Sequence, residues 1–443
     1  VIAIGDLLVL AAGYGALRLL ARDAGFGLAA GLAMAWLTGI AVLALATTYT
    51  GVLGLPTTRA VVAMPLVLLA LSPAAPRLRQ RISRPEVSRS GCLPSPPALG
   101  LLFGTYAVAT ATHIRTIHND EYAIWALRGR ALALAGRLDP RIFAAPQAIY
   151  QHLDYPLLVP AMFSWTTQWG GGERAVHAHA ALLLAAMLAV VGWAVARLAG
   201  TLAGFVAVVL AVAPRNLLVI GSRVLGDVPT AAYAVTTVLL LLLWLRDDEA
   251  WQLRLAALMA AGAVSGKNEG LPFVLAAALL ATAVAGGPWR QRIRPLVAFG
   301  AAFAAYLPWL LWVHAHHLGN DVVNTSAGDR AVLTADRIRL IASGISREWL
   351  LPRWWFVLLA VAVFVAVRCG AWRSAVVAVG TAAAAVLTLA AIYVVTPLEV
   401  KGHIHDSAHR VLLFPAVLMA VSIPLLPGQR AGTLKRTASP PRD

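Results

Sequence analysis

The run AHAALLLAAMLAVVGWAVA, residues 178–196, decides the fold. It is 19 residues long and contains no lysine, arginine or carboxylate. About 20 apolar residues cross the hydrocarbon core of a bilayer. A helix that is apolar all round is buried in a large core or spans a membrane. Similar runs precede it at 4–21, 25–48, 58–75 and 97–112. Others follow at 201–220, 228–245, 253–266, 271–287, 296–313, 351–367, 374–395 and 411–427. The reading is an all-α polytopic membrane bundle of about 13 transmembrane helices. The short runs 58–75 and 253–266 also suit re-entrant or interfacial segments.

Composition agrees. The 443 residues are 60% apolar and 13% charged, where a soluble domain carries about 25% charged residues. That excludes an ordinary soluble enzyme, and high hydrophobicity excludes disorder. The net charge of +16 includes no run of five basic residues, so no nucleic-acid partner is expected. Cys92 and Cys369 form no CxxC and no disulfide framework. The first apolar stretch lacks a basic start and a clear cleavage site, so it reads as a retained helix rather than a signal peptide.

Sidedness follows from arginine and lysine in short loops. Alternate loops and the tail collect 19 basic residues, from Arg18 and Arg22 through Arg290, Arg292 and Arg294 to Arg442. The opposite short loops hold six: Arg59, Arg215, Arg223, Lys267, Lys401 and Arg410. The first set is expected in the cytoplasm, which makes the chain a multi-pass protein of the plasma (inner) membrane. Residues 1–76 then form three N-terminal transmembrane helices, 77–97 a basic cytoplasmic linker, 98–427 the remaining spans and 428–443 a cytoplasmic tail. External loops fall at 113–177, 314–350 and 396–410. All eleven histidines and 13 of the 20 carboxylates lie on the external side. Ionisable groups at membrane level are costly and usually functional, so a reaction centre is expected at the outer interface.

The first external loop contains His118-Asn119-Asp120-Glu121-Tyr122. Asn119 or Asp120 suits a helix cap. Adjacent carboxylates also suit a general base and its orienting partner. Residues 125–138 read as an interfacial amphipathic helix with Leu127, Ala131, Leu134 and Leu138 on one face. Next comes Tyr150-Gln151-His152-Leu153-Asp154-Tyr155-Pro156, a loop-to-helix corner whose His152, Asp154 and Tyr155 are candidate substrate contacts. Arg223 and Asp227 share a tight turn and are candidate substrate contacts; the plainer alternative is that Asp227 and Pro229 start a helix. Lys267 and Glu269 sit at the break Ser265-Gly266-Lys267-Asn268-Glu269-Gly270. A cation there suits a phosphate; the plainer alternative is a Lys267–Glu269 surface pair. The last loop carries His403, His405, Asp406 and Arg410. Imidazole plus carboxylate is a usable ligand mix for a divalent metal such as magnesium or manganese, though the spacing matches no specific metal motif and leaves the cofactor open. Arg410 is the better phosphate contact.

In this order the motifs resemble the GT-C superfamily of integral-membrane glycosyltransferases, the protein O-mannosyltransferase and lipid A aminoarabinose transferase type. Asp120-Glu121-Tyr122 resembles the family's Asp-Glu motif. Asp154-Tyr155-Pro156-Leu157-Leu158 resembles its Tyr-Pro-Pro-Leu stretch, with Leu157 for the second proline. Gly266-Lys267-Asn268-Glu269-Gly270 and His409-Arg410-Val411-Leu412-Leu413 resemble later signatures. The resemblance covers roughly 98–427.

It implies a polyprenyl-phosphate-linked sugar donor and a glycolipid, polysaccharide or protein acceptor. It also implies inverting transfer at the extracytoplasmic face, with membrane lipid as the surroundings. Asp120 is expected as the base and Glu121 as its alternative or partner. Lys267, Arg410 and Arg223 are expected to oppose the charge on the leaving phosphate. Two alternatives stay open: a multispan transporter or lipid flippase, and another outer-face transferase such as a polysaccharide ligase.

Overall fold

A computed structural model describes residues 1–22, 24–72, 95–114, 116–117, 120–143, 152–214, 216–319, 334–396 and 399–429. The linker up to residue 94 and the tail from residue 430, with His118, Asn119, Tyr150, Gln151 and Cys92, fall outside the described residues; the first helix after it begins at Pro96, inside the expected linker. The described residues form helices and no strand. In chain order these begin with α1 (Ile2–Leu20), α2 (Leu28–Val52), α3 (Arg59–Ala70) and α4 (Pro96–His113). A π-helical turn, Glu121–Ala126, leads into α5 (Leu127–Ala135), α6 (Pro140–Phe143) and α7 (Leu158–Gln168). Then come α8 (Glu173–Ala199), α9 (Thr201–Ala211), α10 (Leu217–Gly221), α11 (Asp227–Asp247) and α12 (Ala250–Gly266). The chain continues with α13 (Gly270–Val284), α14 (Trp289–Arg292), α15 (Arg294–Ala315) and α16 (Ala335–Arg347). It closes with α17 (Trp355–Arg368), α18 (Trp372–Val395), α19 (Val400–Val411) and α20 (Leu413–Gly428).

Among the described residues, six helices are long and apolar enough to cross a membrane: α1, α2, α8, α11, α15 and α18. The pair α19 and α20, bent by 44°, makes a seventh if counted as one span. This is fewer than the 13 expected. For four of the expected spans the reason is length: α3, α9, α13 and α17 are apolar but have 12, 11, 15 and 14 residues. At about 1.5 Å per residue none reaches the roughly 30 Å of a hydrocarbon core. The expected span 201–220 is broken, since α9 stops at Ala211 and α10 starts at Leu217.

Helices α8 and α11 form the centre. Residues Val228 to Trp244 of α11 are all buried. One continuous apolar core runs from Val9 to Leu425, so α1–α3 share a core with the rest. Helix α2 packs on α7, α8 and α12, and Tyr233 Oη on α11 donates to the Leu37 carbonyl of α2 at 2.7 Å. Helix α4 lies along α8 in the most extensive pairing of the fold. It comes close because Gly100 and Gly104 face Ala189 and Ala185, where any Cβ would overlap the partner helix. Apolar side chains such as Leu102, Leu202, Phe364 and Leu387 stand exposed on the outside, as lipid-facing residues do.

The segment expected as an interfacial helix is different in detail. Within α5 the buried residues are Arg128, Gly129 and Leu132; of the expected stripe, Leu138 is buried and Leu134 is exposed. Gly129 admits Phe163 of α7 against the backbone, so α5 docks on protein along that face.

Candidate functional site

The polar residues singled out above come from helix ends, and those ends meet. The end of α12, the starts of α11 and α13, the corner before α7, the π-helical turn and the end of α19 converge at one end of the bundle.

Asp120 begins the π-helical turn. Its carboxylate makes no cap hydrogen bond; Oδ2 instead accepts from Arg410 Nη2 at 2.5 Å, across 290 residues. Arg410 Nη2 also donates to the Asp406 carbonyl at 3.3 Å. The next residue, Glu121, is buried, with Oε1 3.8 Å from Arg223 Nη1. Two neighbouring acids therefore engage two different cations. A π turn inserts an extra residue into the helical register and is often found at functional sites. Here the Leu127 N–H reaches back five residues to the Tyr122 carbonyl.

Lys267 caps α12 in extended conformation, φ −151° and ψ 157°, which turns its side chain out of the helix. Its Nζ donates to Asp227 Oδ1 at 2.9 Å and lies 3.2 Å from Glu269 Oε1. The side chain is 10% exposed. The alternative reading as a surface pair gives way to a buried triad with Asp227 as the additional acid. Charges removed from water in this way must be paired, and each of the three is. Asp227 itself serves as the first residue of α11 rather than its cap.

The corner before α7 fixes the third wall. Tyr155 Oη donates to Glu269 Oε1 at 3.3 Å. Its ring stacks with Trp125 and with His152, at centroid distances of 5.5 and 4.5 Å, and lies 5.5 Å from Lys267 Nζ. Asp154 accepts from Asn268 Nδ2, and its carbonyl accepts from Trp309 Nε1 at 3.0 Å. Tyr306 Oη donates to Asn268 Oδ1 at 3.0 Å. Arg128 is almost wholly buried and donates from Nη1 to the Tyr155 carbonyl at 2.7 Å.

A narrow cleft lies among these groups, lined by Asp227, Thr230, Lys267, Glu269 and Arg410, with Phe273 and Phe414 on its apolar side. Those two rings stack at 4.8 Å. Polar groups at one wall and aromatic carbon at the other suit an amphiphilic ligand with a charged head.

Two expected residues are not brought in. The late external loop is helix α19, and a helix divides its residues between faces. His403, Ser407 and Arg410 point inward: His403 Nδ1 meets Thr396 Oγ1 at 3.1 Å, and Ser407 Oγ meets Tyr393 Oη at 2.8 Å. His405 and Asp406 point outward and are exposed; His405 lies 3.5 Å from Glu348 on its solvent side. Glu399 caps this helix, accepting from the Lys401 and Gly402 backbone N–H groups. The Gly402 and then the Lys401 bond hold its carboxyl below the usual range. Among the described residues, no three His, Cys, Asp or Glu side chains gather as a metal site. The acids lining the cleft already hold an ammonium or a guanidinium. These donors do not fit magnesium or manganese.

Sequence reading missed Arg128, Asn268, Tyr306 and the two phenylalanines. Asn268 had a signal, since it lies between Lys267 and Glu269. Arg128 had none, because it looks like any charge on an exposed helix. No family model, curated protein or solved structure matches this chain.

Proposed function

We propose that the chain is an integral-membrane glycosyltransferase. It moves a sugar from a polyprenyl-phosphate donor to a hydroxyl of a glycolipid, polysaccharide or protein at the extracytoplasmic face of the plasma membrane. The observation that carries this is one juxtaposition: Asp120 is bound to Arg410 at 2.5 Å, and that arginine lines a cleft together with Lys267. A proton acceptor and two cations thus stand together at the end of an apolar bundle.

The acceptor oxygen attacks C1 of the sugar while the C1–O bond to phosphate breaks. The phosphate leaves with the electron pair, and the hydroxyl proton passes to the Asp120 carboxylate. A hydroxyl is a poor nucleophile, so the base must act as the bond forms. Lys267 and Arg410 oppose the charge that grows on the phosphate. Asp120 is the reachable acid, with 38% of its side chain exposed. Glu121, buried behind it, orients the acceptor or the loop. The donor's tail stays in lipid.

The test is transfer from radiolabelled polyprenyl-phosphate mannose, glucose or arabinose by the purified protein in nanodiscs, with membrane extract as acceptor. Asp120→Asn is expected to lower the rate by at least about 10²-fold, the usual contribution of a general base. A variant as fast as wild type removes Asp120 from that role. One observation favours a transporter: Lys267 is buried at a break between two helices, α12 and α13. Movement of lipid or solute in liposomes with no glycosidic product from any donor would decide for that reading.

A further inference from the structure

We infer that Arg410 is held by two anions in turn: the Asp120 carboxylate before the donor binds, and the donor's phosphate afterwards. This rests on the transferase reading and concerns the order of events at the same site.

Two cations line the cleft, and they are held differently. Lys267 lies between Asp227 and Glu269 at 2.9 and 3.2 Å, with all three side chains nearly buried. Separating it would leave buried charges uncompensated, which is strongly unfavourable. Arg410 is paired with Asp120, whose side chain is 38% exposed against 17% for the arginine. Water can take up Asp120 once it is released, so this pair is the easier one to exchange. The guanidinium is a planar fork suited to two phosphate oxygens. It belongs both to the ion pair and to the cleft wall, so an oxyanion entering the cleft competes directly with Asp120. It also lies two residues before Leu412, where the chain bends by 44° between α19 and α20.

While Asp120 holds Arg410, its Oδ2 is committed to an N–H donor. Donor binding frees that oxygen. The base is therefore uncovered only when a leaving group is in place, and the donor binds before the acceptor can be activated.

The experiment is a double-substitution cycle read by equilibrium binding of farnesyl phosphate to the full chain in nanodiscs. Asp120→Asn is expected to tighten binding roughly five- to tenfold, the lower range of coupling between linked sites, because a competitor for Arg410 is gone. Arg410→Gln is expected to weaken it. In the Arg410→Gln background, Asp120→Asn is expected to change little. Glu121→Gln removes the same charge without touching Arg410 and sets the size of the general field effect. Asp120→Ser and Arg410→Ala repeat the cycle should a variant fail to run as a single species on gel filtration.

Unchanged or weaker binding by Asp120→Asn, or equal tightening in both backgrounds, overturns the exchange. Separate arms use inorganic phosphate and phosphatidylglycerol; coupling with either of these but not with farnesyl phosphate overturns the assignment to the donor. Binding requires no sugar transfer. Coupling without transfer counts against the transferase reading alone, and transfer without coupling against the exchange alone.

Discussion

Lys267 shows how much a single residue must satisfy in this chain. It is one of few lysines, and its ammonium joins the α11 start to the α13 start through Asp227 and Glu269. Lys267→Met keeps the length of the side chain and leaves two buried carboxylates facing each other. Removing one partner of a buried pair costs about 3–5 kcal/mol, so a large fall in thermal stability in detergent is expected. Lys267→Met combined with Asp227→Asn should recover part of it, because fewer buried charges remain unpaired. If Lys267→Met alone melted like wild type, the triad would not be bearing on the fold. The rarity of charge made this residue legible in the sequence. Its true partner Asp227, 40 residues away, was not, because only Glu269 lies close enough in the chain to suggest itself.

Among the elements, the pairing of α4 with α8 is the clearest case of residue choice setting geometry. Gly100 and Gly104 lie one turn apart on one face of α4, and that face meets α8 at Ala189 and Ala185. Small residues let helix backbones approach, which is how helices gain contact in lipid. Gly104→Val is expected to cost about 1–3 kcal/mol, as overpacking does, and to loosen the π-helical turn that follows α4. Leu102→Ala, on the exposed face, is the control and should be near neutral. Equal stability of the two variants, measured by thermal melting in nanodiscs, would contradict this packing. Helix α19 teaches the opposite lesson. Read as a loop, residues 396–410 offered His403, His405, Asp406 and Arg410 to the site. Formed as a helix, they give His403, Ser407 and Arg410 to it and send His405 and Asp406 to the other side.

For the whole molecule the question is which end faces out. Cys369 lies exposed in the turn between α17 and α18. Tyr393, near the far end of α18, touches Ser407 of α19. The 24 residues of α18 span about 36 Å at 1.5 Å each, so Cys369 and the cleft stand about a bilayer apart. In a Cys92→Ser background, Cys369 is expected to resist a membrane-impermeant maleimide in intact cells and to react in inverted vesicles. His405→Cys, with Cys369→Ser added, should do the reverse. Labelling of both sites from the same side would break the proposed sidedness.

By itself the sequence determined that this is a helical membrane protein and that its polar chemistry gathers in a few short stretches. Both follow from local quantities. Apolar runs have nowhere else to go, and charges are too costly in lipid to be placed without use. The number of full spans was less legible, because composition marks a helix as apolar without fixing where it ends. The tertiary structure alone decided which acid holds which cation. Asp120 with Arg410, and Asp227 with Lys267, are 290 and 40 residues apart. Such pairs depend on where packed helix ends meet, which no local pattern encodes.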